Sequence, residues 1–455
     1  VSGTGGASGT GDGSSQETSD GAGTRAAPGR WLLRLVVSFA FAQGAVCMGR
    51  PAVSYHALGL GADAGAVGVV TAAFALLPLA VAVPLGRRTD RGRCGPLLPA
   101  GVALIAAGCA LAGTAPSLPL LAAWSALLGL GHLVFVIGAQ SLVARQSAPH
   151  EHDRNFSYFT IGGSMGQLAG PVLSGWLVGG GASGWLSGHS SAVALFAAGA
   201  SSVCAYATLW RIEEPRATRG SRRARRRDDG RDGGLAESGS PVPVVRILRA
   251  RGVPAGILTS LAVLSTTDVL TAYLPVLGEE RGIAPGVVGV LLSLRAAASV
   301  VSRVALPSMT AWLGRQMLLV ASCVAAGLLC ALLAVPMPVW ALAFALLVLG
   351  FGLGVGQPLT MSTVVQAAPD RARSTALALR LTGNRLGQVG APAGAGLLAG
   401  AAGAAAPFVL LGALLLGAAV TAAATRAPAP SLPAPGAADG GGSERSGADA
   451  GARTG

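Results

Sequence analysis

The chain has 455 residues, 51% hydrophobic and 12% charged, and its net charge of +13 comes from arginine alone, since no lysine occurs. A soluble globular chain carries about 25% charged residues, so this composition excludes an ordinary water-soluble domain. The six cysteines (47, 94, 109, 204, 323 and 330) lie in apolar runs or one basic loop, which argues against a secreted disulfide framework and a zinc site.

Residues 1–29 are Gly, Ser, Thr and Ala with scattered charge, and 426–455 repeat that character with proline added; both are expected to be disordered tails. No signal-peptide pattern opens the sequence, so the first apolar run is expected to serve as the insertion signal. Twelve apolar runs follow, near 31–54, 65–86, 97–114, 118–142, 157–179, 190–210, 252–275, 286–306, 316–334, 338–362, 375–399 and 404–424. A bilayer-spanning helix needs roughly twenty such residues. The expected fold is therefore an all-α polytopic membrane protein with twelve transmembrane helices.

Arginines occupy alternate loops. Arg87, Arg88, Arg91 and Arg93 lie between spans two and three, Arg145 and Arg154 between four and five, Arg315 between eight and nine, and Arg371 and Arg373 between ten and eleven. The long segment from Arg211 to Arg251 carries a dense run at Arg222–Arg227, while the opposite loops are nearly bare, with Arg281 the exception. The positive-inside rule then places both termini and the central segment in the cytoplasm. Arginines spread this way serve orientation in a cell membrane, and no nucleic-acid partner is expected. The central segment reads as a solvated linker, with a headgroup or protein site as the alternative. The expected organisation is a tail at 1–29, a six-helix bundle at 30–211, the linker at 212–246, a second bundle at 247–425 and a tail at 426–455.

The two halves resemble each other. Gly129 and Gly131 recur as Gly350 and Gly352, Gly166-Gln167 as Gly387-Gln388, Pro171 as Pro392, and Val67-Gly68 as Val288-Gly289, all at an offset of 221. Tyr55 and Tyr273 match at 218. Such a run of near-constant offsets argues for a parallel duplication of six helices around an axis along the membrane normal, with a cavity between the halves.

With Gly86, Asp90, Arg91, Gly92 and Arg93 between spans two and three, the chain resembles the major facilitator superfamily over about residues 31–424. That likeness implies a conformational switch at these positions, although one residue between the Asp-Arg and Gly-Arg pairs is missing and the second half keeps only Gly314-Arg315. Gly166, Gly170, Pro171 and Gly175 are similar to the glycine-proline motif of the drug–proton antiporter branch, which implies export. Small residues at this spacing also serve plain close packing. The arginine that the family places in span four is absent; Ser125 stands there instead.

Charges inside a span normally face a cavity or a partner. Asp268 is the one acid well inside a span, ~21 Å along its helix from Pro254, and Arg50 lies ~24 Å from Arg34 at the same helical rise. Each precedes its tyrosine by five residues, so the two are expected at equivalent depth, approaching across the axis as an outer gate. Asp268 is then the expected proton-coupling residue. Snorkelling to the interface is the alternative for both. Arg380, Asn384 and Gln388 share one helix face, with Arg385 beside them and Gln167 as the first-half counterpart of Gln388. Arg295 falls near mid-membrane, ~12 Å into its helix, and His132 is a titratable candidate. Facing a cavity, Arg295, Arg380 and Arg385 would favour an anionic or strongly hydrogen-bonding substrate; Arg380 and Arg385 would otherwise join the halves at their inner ends.

No phosphate-cradling loop, metal-ligand spacing or nucleophile–base motif occurs, so neither an enzyme nor a cofactor is expected. The leading expectation is a monomeric secondary active transporter working by alternating access and exporting a small organic molecule in exchange for protons. A metabolite importer or symporter on the same fold is the alternative. A transport-inactive sensor or scaffold recruiting a partner through its linker is a third.

Overall fold

The computed structural model describes residues 30–91, 96–147, 151–180, 190–209, 244–250, 252–367 and 373–425. Twelve long helices account for most of them: α1 (Arg30–Gly59), α2 (Ala64–Arg91), α3 (Leu97–Gly113), α4 (Leu118–Gln146), α5 (His152–Val178), α6 (Ser190–Leu209), α7 (Val253–Glu280), α8 (Pro285–Leu313), α9 (Arg315–Leu332), α10 (Val339–Ala367), α11 (Arg373–Ala402) and α12 (Ala406–Ala424). One short helix, Val244–Leu248, precedes α7. The arginine run of the central segment, both tails, Gly92 and Arg93 lie outside the described residues.

Nine of the long helices are extended and apolar enough to cross a membrane, which makes the chain a multi-pass membrane protein. The remaining three depart from the even pattern expected of the sequence. Helix α3 has 17 residues, while α5 and α11 are interrupted by Gly, Ser, Gln and, in α11, arginine. Both packing arrangements explain that tolerance: α5 lies between α1 and α8, and α11 between α7 and α2. A helix covered by neighbours on two sides needs less apolar surface than one facing lipid. A second departure concerns the Asp90 segment. Helix α2 continues to Arg91, so Gly86, Asp90 and Arg91 belong to its last turns, not to a loop beginning at Gly86. Arginine is a good helix former, and glycine next occurs at position 92.

The same set of neighbours occurs twice. Helix α1 packs on α4, α5 and α6, α2 on α4, and α3 on α4 and α6; in the second set α7 packs on α10, α11 and α12, α8 on α10, and α9 on α10 and α12. Glycines at an offset of 221 set these contacts. A Cβ on Gly162 would strike the backbone of α1 at Val36, and one on Gly383 would meet α7 at Ile257. Gly129 lies on the Phe74 carbonyl, and Gly350 on the Arg295 carbonyl. Gly61 and Gly282, again 221 apart, take left-handed φ of 82° and 65° to turn α1 into α2 and α7 into α8, a conformation nearly reserved for glycine.

One apolar core is shared by both sets. It joins Ala52, Val53, Val67, Val70 and Leu121 with Val269, Leu270, Leu277, Val288, Leu346 and Phe408, all toward the end of the bundle away from Arg30 and Ala424, here termed the distal end. Toward the other end the cores separate: Leu35, Phe39, Leu98, Phe135 and Leu142 form one, and Leu318, Val355 and Leu359 another. The two sets of helices are thus fastened at the distal end.

Candidate functional site

Two glycine seams and an ion pair close the distal end. Across α5 and α8, Gly289 lies against the Pro171 carbonyl and Gly175. Across α2 and α11, Gly68 lies against Pro392, Gly396 and the Tyr273 hydroxyl. In every case the missing side chain lets backbone meet backbone. Tyr273 Oη donates to the Ala64 carbonyl at 2.9 Å, and Ser293 Oγ donates to the Leu168 carbonyl at 2.7 Å. The Gly166–Gly175 motif therefore divides its work. Gly166 and Gly170 receive α1 at Gly44 and Cys47, whereas Pro171 and Gly175 receive α8. Pro392 and Gly396, which carry no antiporter resemblance, do for α2 what Pro171 and Gly175 do for α8.

Between the seams, Arg50 Nη1 donates to Asp268 Oδ1 at 2.6 Å. Gln388 Nε2 donates to Asp268 Oδ2 at 3.0 Å, and Arg385 Nη1 donates to Gln388 Oε1 at 2.9 Å. Asp268 is 6% exposed, so a short charge-assisted bond replaces the water it lost. The Arg50 guanidinium also lies 5.0 Å above the Phe74 ring, within cation–π range. Phe74 neighbours His132 at 6.3 Å between ring centroids. His132 Nε2 meets Gln43 Oε1 at 2.9 Å; an amide oxygen only accepts, so this ring nitrogen carries the proton. Gln43 Nε2 then donates to Cys47 Sγ at 3.3 Å. One chain of contacts thus runs from α11 through α7, α1 and α2 to α4.

The partners Arg50 and Asp268 are not, however, symmetry mates. Helices α1 and α7 meet their glycine partners at an offset of 221: Val36 lies on Gly162 and Ile257 on Gly383, Gly44 on Gly166 and Ser265 on Gly387. Cys47 is accordingly the counterpart of Asp268, and Thr271 that of Arg50. The Tyr55–Tyr273 match at 218 is out of register by three residues, close to one helical turn, which kept it on a plausible face.

The other candidates separate. Gln388 is a second ligand of Asp268. Arg380, 6% exposed, donates through Nη2 to the Gln357 carbonyl and Thr360 Oγ1 at 3.3 and 3.2 Å, so it ties α11 to α10. Asn384 is equally buried, with Oδ1 unpartnered. Arg295 is 8% exposed with Nε unpartnered, in electrostatic reach of Cys47, Asp268 and Arg50. Gln167 is partly buried on α5 and joins none of the described contacts of this network. Sequence reading overlooked Gln43 and Phe74. Gln43, Cys47 and Arg50 recur at helical spacing on one face of an apolar helix, and that stripe was the available signal.

No group of three His, Cys, Asp or Glu among the described residues could hold a metal ion. The fold and its paired charges define a polytopic membrane protein with two helical sets meeting around a polar centre. The family model of the Major Facilitator Superfamily matches residues 35–337 and 256–449, and the chain belongs to that superfamily. It is a secondary active transporter of a small molecule, working by alternating access in the cell membrane. No curated protein matches its sequence. Among solved structures it is similar to the nucleoside transporter NupG (13% identity, 87% of this chain and 98% of that one, TM-score 0.66). It is also similar to a POT family transporter in complex with 5-aminolevulinic acid (12%, 86% and 95%, 0.68). A third is a bacterial homolog of the human lysosomal transporter Spinster (13%, 87% and 94%, 0.59). At these identities the likeness is one of fold.

Proposed function

We propose that this chain imports a small polar organic molecule together with a proton, through twelve membrane crossings in two six-helix repeats, residues 30–211 and 247–425. The observation that carries this reading is the sharing of Asp268 between Arg50 of the first repeat and Gln388 of the second. A proton on Asp268 would replace Arg50 as the partner of its charge and unfasten the distal end. Positive-inside orientation makes that end the outside. Cargo would load into the outward-open, protonated state; closure and proton loss to the cytoplasm would restore the ion pair. Joined outer ends and separate inner cores correspond to the inward-facing state after release. Both termini and the 212–246 linker are then cytoplasmic.

Import is preferred over export for two reasons. The glycine-proline contact of Pro171 and Gly175 is reproduced by Pro392 and Gly396, so it supports a seal that either direction requires. The structures it resembles in fold include a nucleoside transporter and a POT family transporter in complex with a conjugated peptide. Proton-exchange efflux remains the second reading, favoured by Gly166, Gly170, Pro171 and Gly175 as a motif. Reconstituted vesicles with an imposed proton gradient distinguish them. Uptake driven by external acid supports symport, and accumulation driven by an acidic lumen supports exchange. Flux indifferent to the gradient would refute proton coupling in both.

A further inference from the structure

We propose that Arg295 anchors a carboxylate of the cargo, so that the transported molecule is a small organic acid; this rests on the transport reading above and names its substrate class. Asp268 is the one acid among the described residues that lies away from the helix ends and loops. Both of its oxygens are engaged by Arg50 and Gln388. Arg50, Arg295 and Arg385 all lie within its field, so three guanidiniums surround a single carboxylate that has no oxygen left over. Arg295 is the one whose buried Nε lacks a partner. An uncompensated cation in a low-dielectric interior is costly, and it persists where a ligand supplies the missing charge.

The backbone of Arg295 lies against Gly350 of α10, where no side chain intervenes. The guanidinium lies within electrostatic reach of Cys47 on α1. Its counterpart at an offset of 221 is Phe74, a ring already occupied by Arg50. Arg303, two turns nearer the proximal end on the same face, is exposed and close enough to repel Arg295. Together they place an exposed guanidinium and a buried one along α8. A planar two-oxygen anion fits the guanidinium fork, and Asp268 already occupies this centre with that chemistry.

Thermal unfolding of the purified protein in detergent tests this with small mono- and dicarboxylates, each paired with its neutral amide. At least one acid should stabilise the protein where its amide does not. Arg295→Gln should weaken that acid at least about tenfold, with Arg295→Lys retaining part of the affinity; unliganded melting of both variants reports whether they fold. Equal stabilisation by amides, no stabilisation by any acid, or unchanged binding in a folded Arg295→Gln protein would overturn the proposal. Binding in micelles needs no transport. Acid-specific binding without flux in vesicles would refute the transport reading and leave the anion site standing, whereas flux of neutral cargo untouched by Arg295→Gln would do the reverse.

Discussion

Gly289 and Gly175 approach so closely across α8 and α5 that neither has room for a side chain, and Gly68 and Gly396 repeat the arrangement 221 residues away across α2 and α11. Overpacking such a contact costs roughly 1–3 kcal/mol, enough to shift a two-state equilibrium by about one order of magnitude or more. Gly289→Leu and Gly68→Leu should each hold the distal end apart. Spin labels at Gly59→Cys and Glu280→Cys, on the distal ends of α1 and α7, should report a longer distance population in either variant. An unchanged distribution would mean the seams are not closure contacts.

The Arg50–Asp268 pair should behave as a buried ion pair. Removing one partner of such a pair typically costs about 3–5 kcal/mol, because the other charge is left uncompensated. Arg50→Gln should therefore lower the melting temperature and abolish flux. The exchanged double variant, Arg50→Asp with Asp268→Arg, should recover much of the stability. Additive losses in the double variant would show that the two side chains are not energetically coupled.

Gln388 joins Asp268 to Arg385, so its loss should be felt in transport more than in folding. Hydrogen bonds to charged groups contribute about 1.5–3 kcal/mol. Gln388→Ala should reduce flux about tenfold or more while Gln167→Ala, at the equivalent place on α5, has a small effect. Equal losses would contradict a special role for Gln388.

Arg281 offers a stability effect without a transport effect. Its Nη2 donates to the Leu333 and Ala334 carbonyls at 2.8 and 3.0 Å, satisfying the end of α9. Burial lowers the guanidinium pKa and Glu280 raises it, but a guanidinium stays charged around neutrality whether folded or unfolded. Arg281→Ala should lower stability by about 1–3 kcal/mol to the same extent across neutral pH, with flux retained. Calorimetry at two pH values and a flux assay check both halves of that statement.

Most of the helical framework was readable from residue pattern, because membrane spans are long apolar runs and glycine contacts preserve their spacing. The offset of 221, first visible in pairs such as Gly129 and Gly350, also governs which backbones touch. Four features were hidden for physical reasons. Helix α2 ran past Gly86 because arginines sustain a helix as well as they mark a cytoplasmic loop. The tyrosine match at 218 misled because a three-residue shift nearly restores the same face of a helix. Gln388 read as a cavity residue, since a stripe of polar residues reveals a face but not which member reaches Asp268. Gln43 escaped notice for the complementary reason, being a single amide in a strongly apolar run whose partner, His132, lies 89 residues away.

The most direct test of the central claim is Asp268→Asn in reconstituted vesicles, comparing proton-driven net flux with cargo exchange at equilibrium. Asparagine keeps the size of the side chain and removes the charge on which Arg50 and the proton compete. Gradient-driven flux should be lost while exchange of cargo persists. Unchanged gradient-driven flux in Asp268→Asn would contradict that claim.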